Sequence, residues 1–137
     1  MYKIETANDF IRRTDKKFKE NLLNYNKTGL SRYLKYFSDI NRKGGYFFLK
    51  EAWTFMGQHN IHEKIFIIER FKRISIKQPV THKKLKIGEI EYRFGYYMVG
   101  KNGNKINKWT WGESCPIIPK EDLDRLINLA KKDGTII

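Results

Sequence analysis

The chain has 137 residues, of which 40% are hydrophobic and 15% aromatic, a composition that excludes a mainly disordered protein and indicates one globular domain covering residues 1–137. Twenty-eight Lys and Arg against fifteen Asp and Glu give a net charge of +13, which indicates a polyanionic partner: nucleic acid, anionic lipid or an acidic protein. No apolar run is long enough to span a bilayer and Cys115 has no partner for a disulfide, so we expect a cytoplasmic protein without a membrane partner.

The basic excess is concentrated in the first part of the chain. Residues 1–88 hold twenty basic and eight acidic side chains, whereas residues 89–137 hold eight and seven. A bias in codon usage would enrich Lys throughout the chain. The uneven distribution therefore indicates that the basic side chains of the first 88 residues have a function.

The first predicted element is a helix at about residues 7–25. Thr6 followed by Asp9 is close to a capping box, and Gly29 after a turn-forming segment is a typical helix end. The apolar positions at helical spacing are Ile11, Thr14, Phe18, Leu22 and Tyr25. The other side of the helix carries Arg12, Arg13, Lys16, Lys17 and Lys19, a candidate phosphate-binding surface.

A second helix is predicted directly after the first and antiparallel to it. Its apolar positions are Leu30, Tyr33, Leu34 and Phe37, which have the spacing i, i+3, i+4 and i+7. The segment RKGG at residues 42–45 ends this run.

Residues 46–74 predict two further helices joined by a tight turn. The first ends at Gly57, and the second begins at Ile61 after Asn60, which has Glu63 as a capping-box partner. One interpretation is a DNA-binding helix-turn-helix whose second helix offers Lys64, Arg70, Lys72 and Arg73 to a groove. The alternatives are a plain pair of packed helices, or a buried strand at the segment IFII. In each of them Trp53, Phe55 and Phe66 belong to the core.

A basic strand and a hairpin follow. After Pro79, Leu85 and Ile87 alternate with Lys84 and Lys86, which predicts a strand with one wet, basic face. The neighbouring Lys83 is a further candidate for phosphate contacts. Asn102-Gly103 is a strong signal for a two-residue hairpin turn. That register pairs Tyr96 with Trp109 and Phe94 with Trp111. One face of the hairpin would then carry Tyr92, Phe94, Tyr96, Met98, Trp109 and Trp111.

An amphipathic C-terminal helix begins near Pro119 and ends at Gly134, with Leu123, Leu126, Ile127 and Ala130 on its apolar side. We expect this helix to cover the aromatic face, because burying rings is favourable. An exposed stacking platform for bases and a small-ligand pocket are the alternatives. The opposite face would bring Arg93, Tyr97 and Lys108 together beside Gly95, and this combination suits a phosphate and a base.

Candidate catalytic residues are few. His59, His62 and His82 are candidates for general acid or base catalysis in a metal-independent ribonuclease. Glu89 and Glu91, followed by Arg93, have a spacing similar to that of metal-dependent nucleases. Cys115 precedes a proline and has no basic neighbour in the predicted structure, so we expect a structural thiol. We predict neither a cofactor nor a bound metal.

These patterns predict an α+β protein. It would be helical through about residue 74, with a small antiparallel sheet at about residues 84–113 and a covering helix. The leading function is binding of DNA or RNA through phosphate contacts. The alternatives are a nuclease, with or without a metal, and an inhibitor or immunity-type protein that binds an acidic protein surface. The predicted binding residues are Arg12, Arg13, Lys16, Lys17, Arg70, Lys72, Arg73, Lys83, Lys84, Lys86, Arg93, Tyr97 and Lys108.

Overall fold

A computed structural model describes residues 3–38, 43–77 and 84–137, which form two helices and one five-stranded antiparallel sheet. The elements in chain order are α1 (Ala7–Thr28), β1 (Lys35–Phe37), β2 (Gly45–Gly57), β3 (Lys64–Lys77), β4 (Ile90–Val99), β5 (Trp109–Trp111) and α2 (Lys120–Lys132). Each strand pairs with the next along the chain, so the sheet order is β1-β2-β3-β4-β5. The predicted α+β class is confirmed.

Helix α1 begins where the capping signal placed it. The Thr6 side chain accepts a hydrogen bond from the Asp9 backbone N–H at 3.1 Å, and Gly29 ends the helix in the left-handed conformation with φ of 67°. The helix continues three residues beyond the predicted end at residue 25. Phe10 and Thr14 are its buried residues, so they fix the side that faces the sheet.

The prediction of a second helix at Leu30–Phe37 is wrong. A short 3-10 turn at Ser31–Tyr33 is followed by β1, whose Tyr36 and Phe37 pair with Phe47 and Tyr46 of β2. Four apolar positions over eight residues fit a helical stripe, but they are too few to resist an available partner strand. The strand ladder satisfies the backbone groups that a short helix would leave open.

The helices predicted across residues 46–74 are also wrong, because these residues form β2 and β3. The two strands are long antiparallel neighbours, with Phe55 opposite Ile67 and Met56 opposite Phe66. Ile65 to Ile68 are completely buried, since the sheet is covered on both faces here and the strand shows no polar alternation. The helix-turn-helix interpretation falls with this correction, and the alternative of a buried strand at IFII is confirmed.

The predicted basic strand at 84–88 is wrong for the residues that the structure describes. Residues 84–89 form turns and irregular backbone, and β4 begins only at Ile90. Gly88 has φ of 92°, a value suited to glycine, and its N–H donates to the Arg73 carbonyl at 2.7 Å. Pro79 and Lys83 lie outside the described residues.

The prediction of a two-residue turn at Asn102-Gly103 is wrong as well, although β4 and β5 do pair. Asn102 is extended, with φ of −152°, whereas the predicted turn needs positive φ at both central residues. A longer connection spans residues 100–108, and the ladder joins Tyr97 to Trp111 and Val99 to Trp109. The register differs from the prediction by three residues, an odd number, which turns both tryptophans to the opposite face.

The two helices cover opposite faces of the sheet. On one face, Phe18 of α1 lies 5.3 Å from Trp53 and Phe10 lies 5.2 Å from Trp109, measured between ring centroids. On the other face, Leu126 and Ala130 of α2 pack against Phe66 and Ile68. The molecule is therefore three layers, with the middle of β3 at the centre of the core.

The predicted C-terminal helix is confirmed, but it covers only part of the predicted aromatic face. Tyr96 packs against its buried residues, whereas Tyr92 remains 39% exposed and Phe94 and Met98 each remain 38% exposed. Trp109 and Trp111 are partly buried on the face of α1. The prediction that these rings share one face is therefore wrong for both tryptophans.

Candidate functional site

The face of the sheet that carries α1 is concave beside that helix. Phe37 of β1 lies 5.5 Å from Phe71 of β3 between ring centroids, and its ring is also 5.2 Å from the Arg93 guanidinium of β4. Since β1 and β4 are separated by two strands in the sheet, this approach requires the sheet to curl around the face.

Three clefts lie on this concave face. One of 360 Å³ has Arg73, Glu91 and Arg93 among its lining residues. The other two, with volumes of 220 and 240 Å³, adjoin each other because they share Lys35 and Lys50, and we call them the smaller and the larger cleft. The smaller cleft lies between the edge of α1 and the segment around β1, and the larger lies between β1, β2, β4 and β5. Their basic residues are Lys17, Arg32, Lys35, Lys50 and Arg93, and we call this surface the basic groove. The described residues that line it include no Asp or Glu.

The carboxylate of Glu69 lies directly beneath the groove and is completely buried. Lys50 Nζ is 2.7 Å from Glu69 Oε2, and Arg93 Nε donates to Glu69 Oε1 at 2.7 Å. Glu69 is therefore shared between two cations. A single carboxylate balances only one of them, so the larger cleft keeps a net positive charge.

Lys50 is held between this carboxylate and a ring of α1. Its Nζ lies 3.4 Å from the centroid of Phe18. Burial lowers the pKa of Lys50, attraction to Glu69 opposes that shift, and repulsion from Arg93 and Lys35 adds to it. The repulsion shows that the three cations of the larger cleft act on one another.

Arg93 is oriented by aromatic rings on several strands. Its guanidinium lies 4.5 Å from the Trp111 ring and 5.3 Å from the Phe71 ring. The Trp111 ring extends over Gly95, where a β-carbon would overlap it. The glycine thus lets β5 bring its ring onto the guanidinium of β4.

Tyr97 forms the wall of the larger cleft beside Trp111. The two rings are 5.2 Å apart in an edge-to-face arrangement. Burial raises the pKa of Tyr97 to about 12, the charge of Glu69 adds to the shift and Arg93 opposes it. The hydroxyl therefore stays protonated and can donate a hydrogen bond to a ligand.

The predicted binding residues of α1 divide into two groups. Arg12 and Arg13 lie in exposed ion pairs with Asp9 at 3.1 Å and Glu5 at 2.8 Å. Lys16 is exposed on the outer side of the helix, and Lys17 is the α1 residue that reaches the groove.

Two predicted residues of β3 stabilise the fold and lie outside the groove. Arg70 donates to Glu51 at 2.9 Å and to the carbonyls of Gly134 and Thr135, which ties β3 to the segment after α2. Arg73 is 1% exposed and forms ion pairs with Glu89, at 3.1 Å, and Glu91. The two carboxylates with nuclease-like spacing are thus partners of Arg73.

The remaining predicted cations are scattered. Lys72, Lys84, Lys86 and Lys108 are exposed and do not line the groove, and Lys83 lies outside the described residues. Of the trio predicted beside Gly95, the structure therefore brings Arg93 and Tyr97 into one cleft and places Lys108 elsewhere.

The described histidines lie away from the groove. His59 Nδ1 is 2.9 Å from Asp122 Oδ2 and its Nε2 is 3.3 Å from Glu121, so the ring joins the loop after β2 to the start of α2. Burial acts to raise the pKa of Asp122, but the hydrogen bonds from His59 and the nearby charge of Arg125 hold it below its usual value. His62 lines a separate cleft with Trp109, and His82 lies outside the described residues. Within the described ranges, no three His, Cys, Asp or Glu are placed to hold a metal.

Sequence reasoning did not select Arg32, Lys35, Lys50, Glu69 or Trp111 for the site. Lys50 and Glu69 did carry a signal, since each is a charge within a mainly apolar strand, in YFFLKEAW and IFIIERF. A charge inside a buried strand needs a partner of opposite sign. The identity of that partner depends on the register of β2 and β3 and is not visible in the sequence.

Comparisons of the chain with protein-family models, curated proteins and solved structures find no match. Neither helix in the described part of the chain combines the length and the apolar character needed to cross a membrane.

Proposed function

We propose that the protein binds nucleic acid through phosphate contacts along the basic groove. The observation that carries this proposal is the set of five cations, Lys17, Arg32, Lys35, Lys50 and Arg93, that line two adjoining clefts. Because Glu69 lies buried beneath them, its charge orients Lys50 and Arg93 without presenting a negative surface to a ligand. Several cations on adjoining clefts of a concave surface are suited to a repeating chain of phosphates.

The rings in the groove favour nucleic acid over other polyanions. Tyr97 and Trp111 line the larger cleft, while Phe18 and Tyr33 line the smaller one. Proteins that bind single strands combine a positive groove with rings on which bases stack. An acidic protein surface would gain from the charge alone, whereas every nucleotide brings a planar base together with its phosphate.

Recessed cations also argue against an acidic protein as the partner. The Lys50 side chain is 22% exposed and that of Arg93 is 29% exposed, at the bottom of a cleft. A protein surface reaches such groups only with a protruding loop, whereas the phosphates of a flexible strand can follow the groove.

The test is a binding titration with a charge-reversed groove. Reversing the exposed groove residues Lys35 and Arg32 together with Lys17 to Glu should weaken binding of a fluorescent single-stranded oligonucleotide at least tenfold, because several phosphate contacts are lost. The control reverses Lys120, Lys131 and Lys132 on α2, which changes the net charge equally on the opposite side of the sheet.

Greater weakening by the groove substitutions than by the control substitutions on α2 supports the groove as the binding surface. Equal weakening by both sets would mean that binding depends on total charge, and unchanged binding by the groove variant would refute the proposal. Melting temperatures of the variants show whether each still folds. The same titration, analysed for shortened oligonucleotides, also detects nuclease activity.

A further inference from the structure

The larger cleft contains more positive charge than its surroundings balance. Lys35, Lys50 and Arg93 line it, and Glu69 is the one acidic partner that the described residues supply to Lys50 and Arg93. Lys35 has no ion pair within the described ranges. The local charge is therefore close to two positive units, in a cleft where burial already disfavours the charged form of Lys50.

A ligand with two negative charges would balance this cleft. A phosphate in the middle of a nucleic-acid strand carries one negative charge, whereas a phosphate monoester carries about 1.5 to 2 at neutral pH and three acceptor oxygens. The cleft presents the ammonium groups of Lys35 and Lys50 and a planar guanidinium, which together suit several oxygens on one phosphorus atom.

The size of the larger cleft favours the end group of a nucleic-acid strand as its ligand. Its volume of 240 Å³ lies below the roughly 300 to 1,000 Å³ of pockets that enclose a whole drug-sized ligand. It has room for a phosphate and part of the attached nucleoside. Trp111 and Tyr97 form one wall, so the attached nucleoside would lie beside aromatic rings and a protonated hydroxyl that can donate a hydrogen bond.

We propose that the larger cleft binds a phosphate monoester, supplied by the terminal phosphate of a nucleic-acid strand. This inference rests on the proposed function for the source of the phosphate. The same chemistry is present in a free nucleoside monophosphate, which is the second possible source.

The experiment compares three single-stranded oligonucleotides of one sequence, bearing a 5′-phosphate, a 3′-phosphate or hydroxyl groups at both ends. Affinities are measured by fluorescence anisotropy, with the dye attached at an internal base. One of the two phosphorylated strands should bind about tenfold more tightly than the hydroxyl-ended strand, because it adds charge-assisted hydrogen bonds in the cleft.

Matched variants separate the two clefts. Lys35→Ala should abolish most of the preference for the phosphorylated strand, since Lys35 lines the larger cleft. Lys17→Ala should weaken all three strands by a similar factor and preserve the preference, since Lys17 lines the smaller cleft alone. Both side chains are exposed, so neither substitution removes a core contact.

The outcomes distinguish this inference from the proposed function. Binding of all three strands with equal affinity would overturn the terminal-phosphate site and leave nucleic-acid binding intact. Binding of a nucleoside 5′-monophosphate without binding of any strand would support the phosphate monoester site and refute the proposed function. Binding of no strand and no nucleotide would refute both.

Discussion

At the scale of single residues, Glu69 is the buried counter-ion of the groove. It is completely buried, accepts a hydrogen bond from Arg93 and forms an ion pair with Lys50, so it determines where two of the five groove cations lie. A buried carboxylate is costly to desolvate and is stable here because each oxygen faces a cation. The same contacts limit the rotamers of Lys50 and Arg93, and their positive groups are therefore oriented before a ligand arrives.

Glu69→Gln should lower the free energy of unfolding by about 3–5 kcal/mol, because the amide leaves two partly buried cations without their counter-ion. Denaturation with urea measures this change. The control is Glu63→Gln, which breaks a more exposed pair with Lys101 and should cost at most about 1 kcal/mol. Equal losses in the two variants would contradict the structural role assigned to Glu69.

Tyr97 predicts a specific dependence of stability on alkaline pH. Its pKa is raised from the ordinary value of 10.0 to about 12, so the folded state keeps the proton over a range in which the unfolded state has lost it. The stabilisation is complete below pH 10 and is lost as the pH rises through about 12. The unfolding free energy of the wild type relative to Tyr97→Phe should be constant from about pH 7 to 9 and should then fall by roughly 1 kcal/mol per pH unit. A constant difference up to pH 11 would show that the phenol is not shielded as described.

At the scale of elements, the fold depends on one sheet that is covered on two sides. Helix α1 supplies rings to one face, and α2 supplies a narrow aliphatic stripe to the other. The segment after α2 is attached as well, because Thr54 on β2 hydrogen-bonds Asp133 and Thr135 at 3.1 and 2.8 Å. The groove opens where α1 stops covering the concave face.

Leu126→Ala tests how strongly α2 stabilises the sheet. The side chain is completely buried against the core residues of β3, so its truncation should lower the free energy of unfolding by about 2–5 kcal/mol. Leu123→Ala on the same helix is the matched control, since Leu123 is 40% exposed and should lose less than half as much. Similar losses at both positions would mean that α2 presents a different side to the sheet.

At the scale of the whole molecule, the uneven charge of the sequence has a partial counterpart in the structure. Four of the five groove cations, Lys17, Arg32, Lys35 and Lys50, belong to the first 88 residues, where the basic excess lies. Arg93 comes from the nearly neutral remainder and is brought to them by β4. Arg70 and Arg73 also contribute to the excess, but their charges are balanced within the fold.

The groove predicts a measurable dependence of binding on salt. The logarithm of the affinity for a single strand should fall linearly with the logarithm of salt concentration, by about 0.7 for each neutralised phosphate. Lys35→Gln should make this slope shallower by about 0.7, whereas Lys131→Gln on α2 should leave it unchanged. Titrations between about 50 and 200 mM salt measure both slopes. An affinity that does not change with salt would exclude the phosphate mechanism.

The sequence by itself determined the elements that depend on local interactions. Helix α1 could be predicted from Thr6 and Gly29 because capping hydrogen bonds join residues three or four positions apart. Helix α2 could be predicted because its apolar stripe and its acidic first turn lie within one element. The class of partner proposed here also came from a local quantity, the count of charges.

Only the tertiary structure decided the strands, the register and the site. The segment from Gly45 to Lys77 has apolar spacing compatible with either helix or strand, and pairing of β2 with β3 over a long ladder selects the strand. The register of β5 is set by the longer connection at residues 100–108 and not by a two-residue Asn-Gly turn. The face of the sheet on which Trp111 lies was therefore not predictable from the sequence. The groove joins Lys17, Lys50 and Arg93, which are far apart in the chain. Contacts of that kind are set by packing of the whole sheet, because their energies depend on burial and on partners that no local pattern specifies.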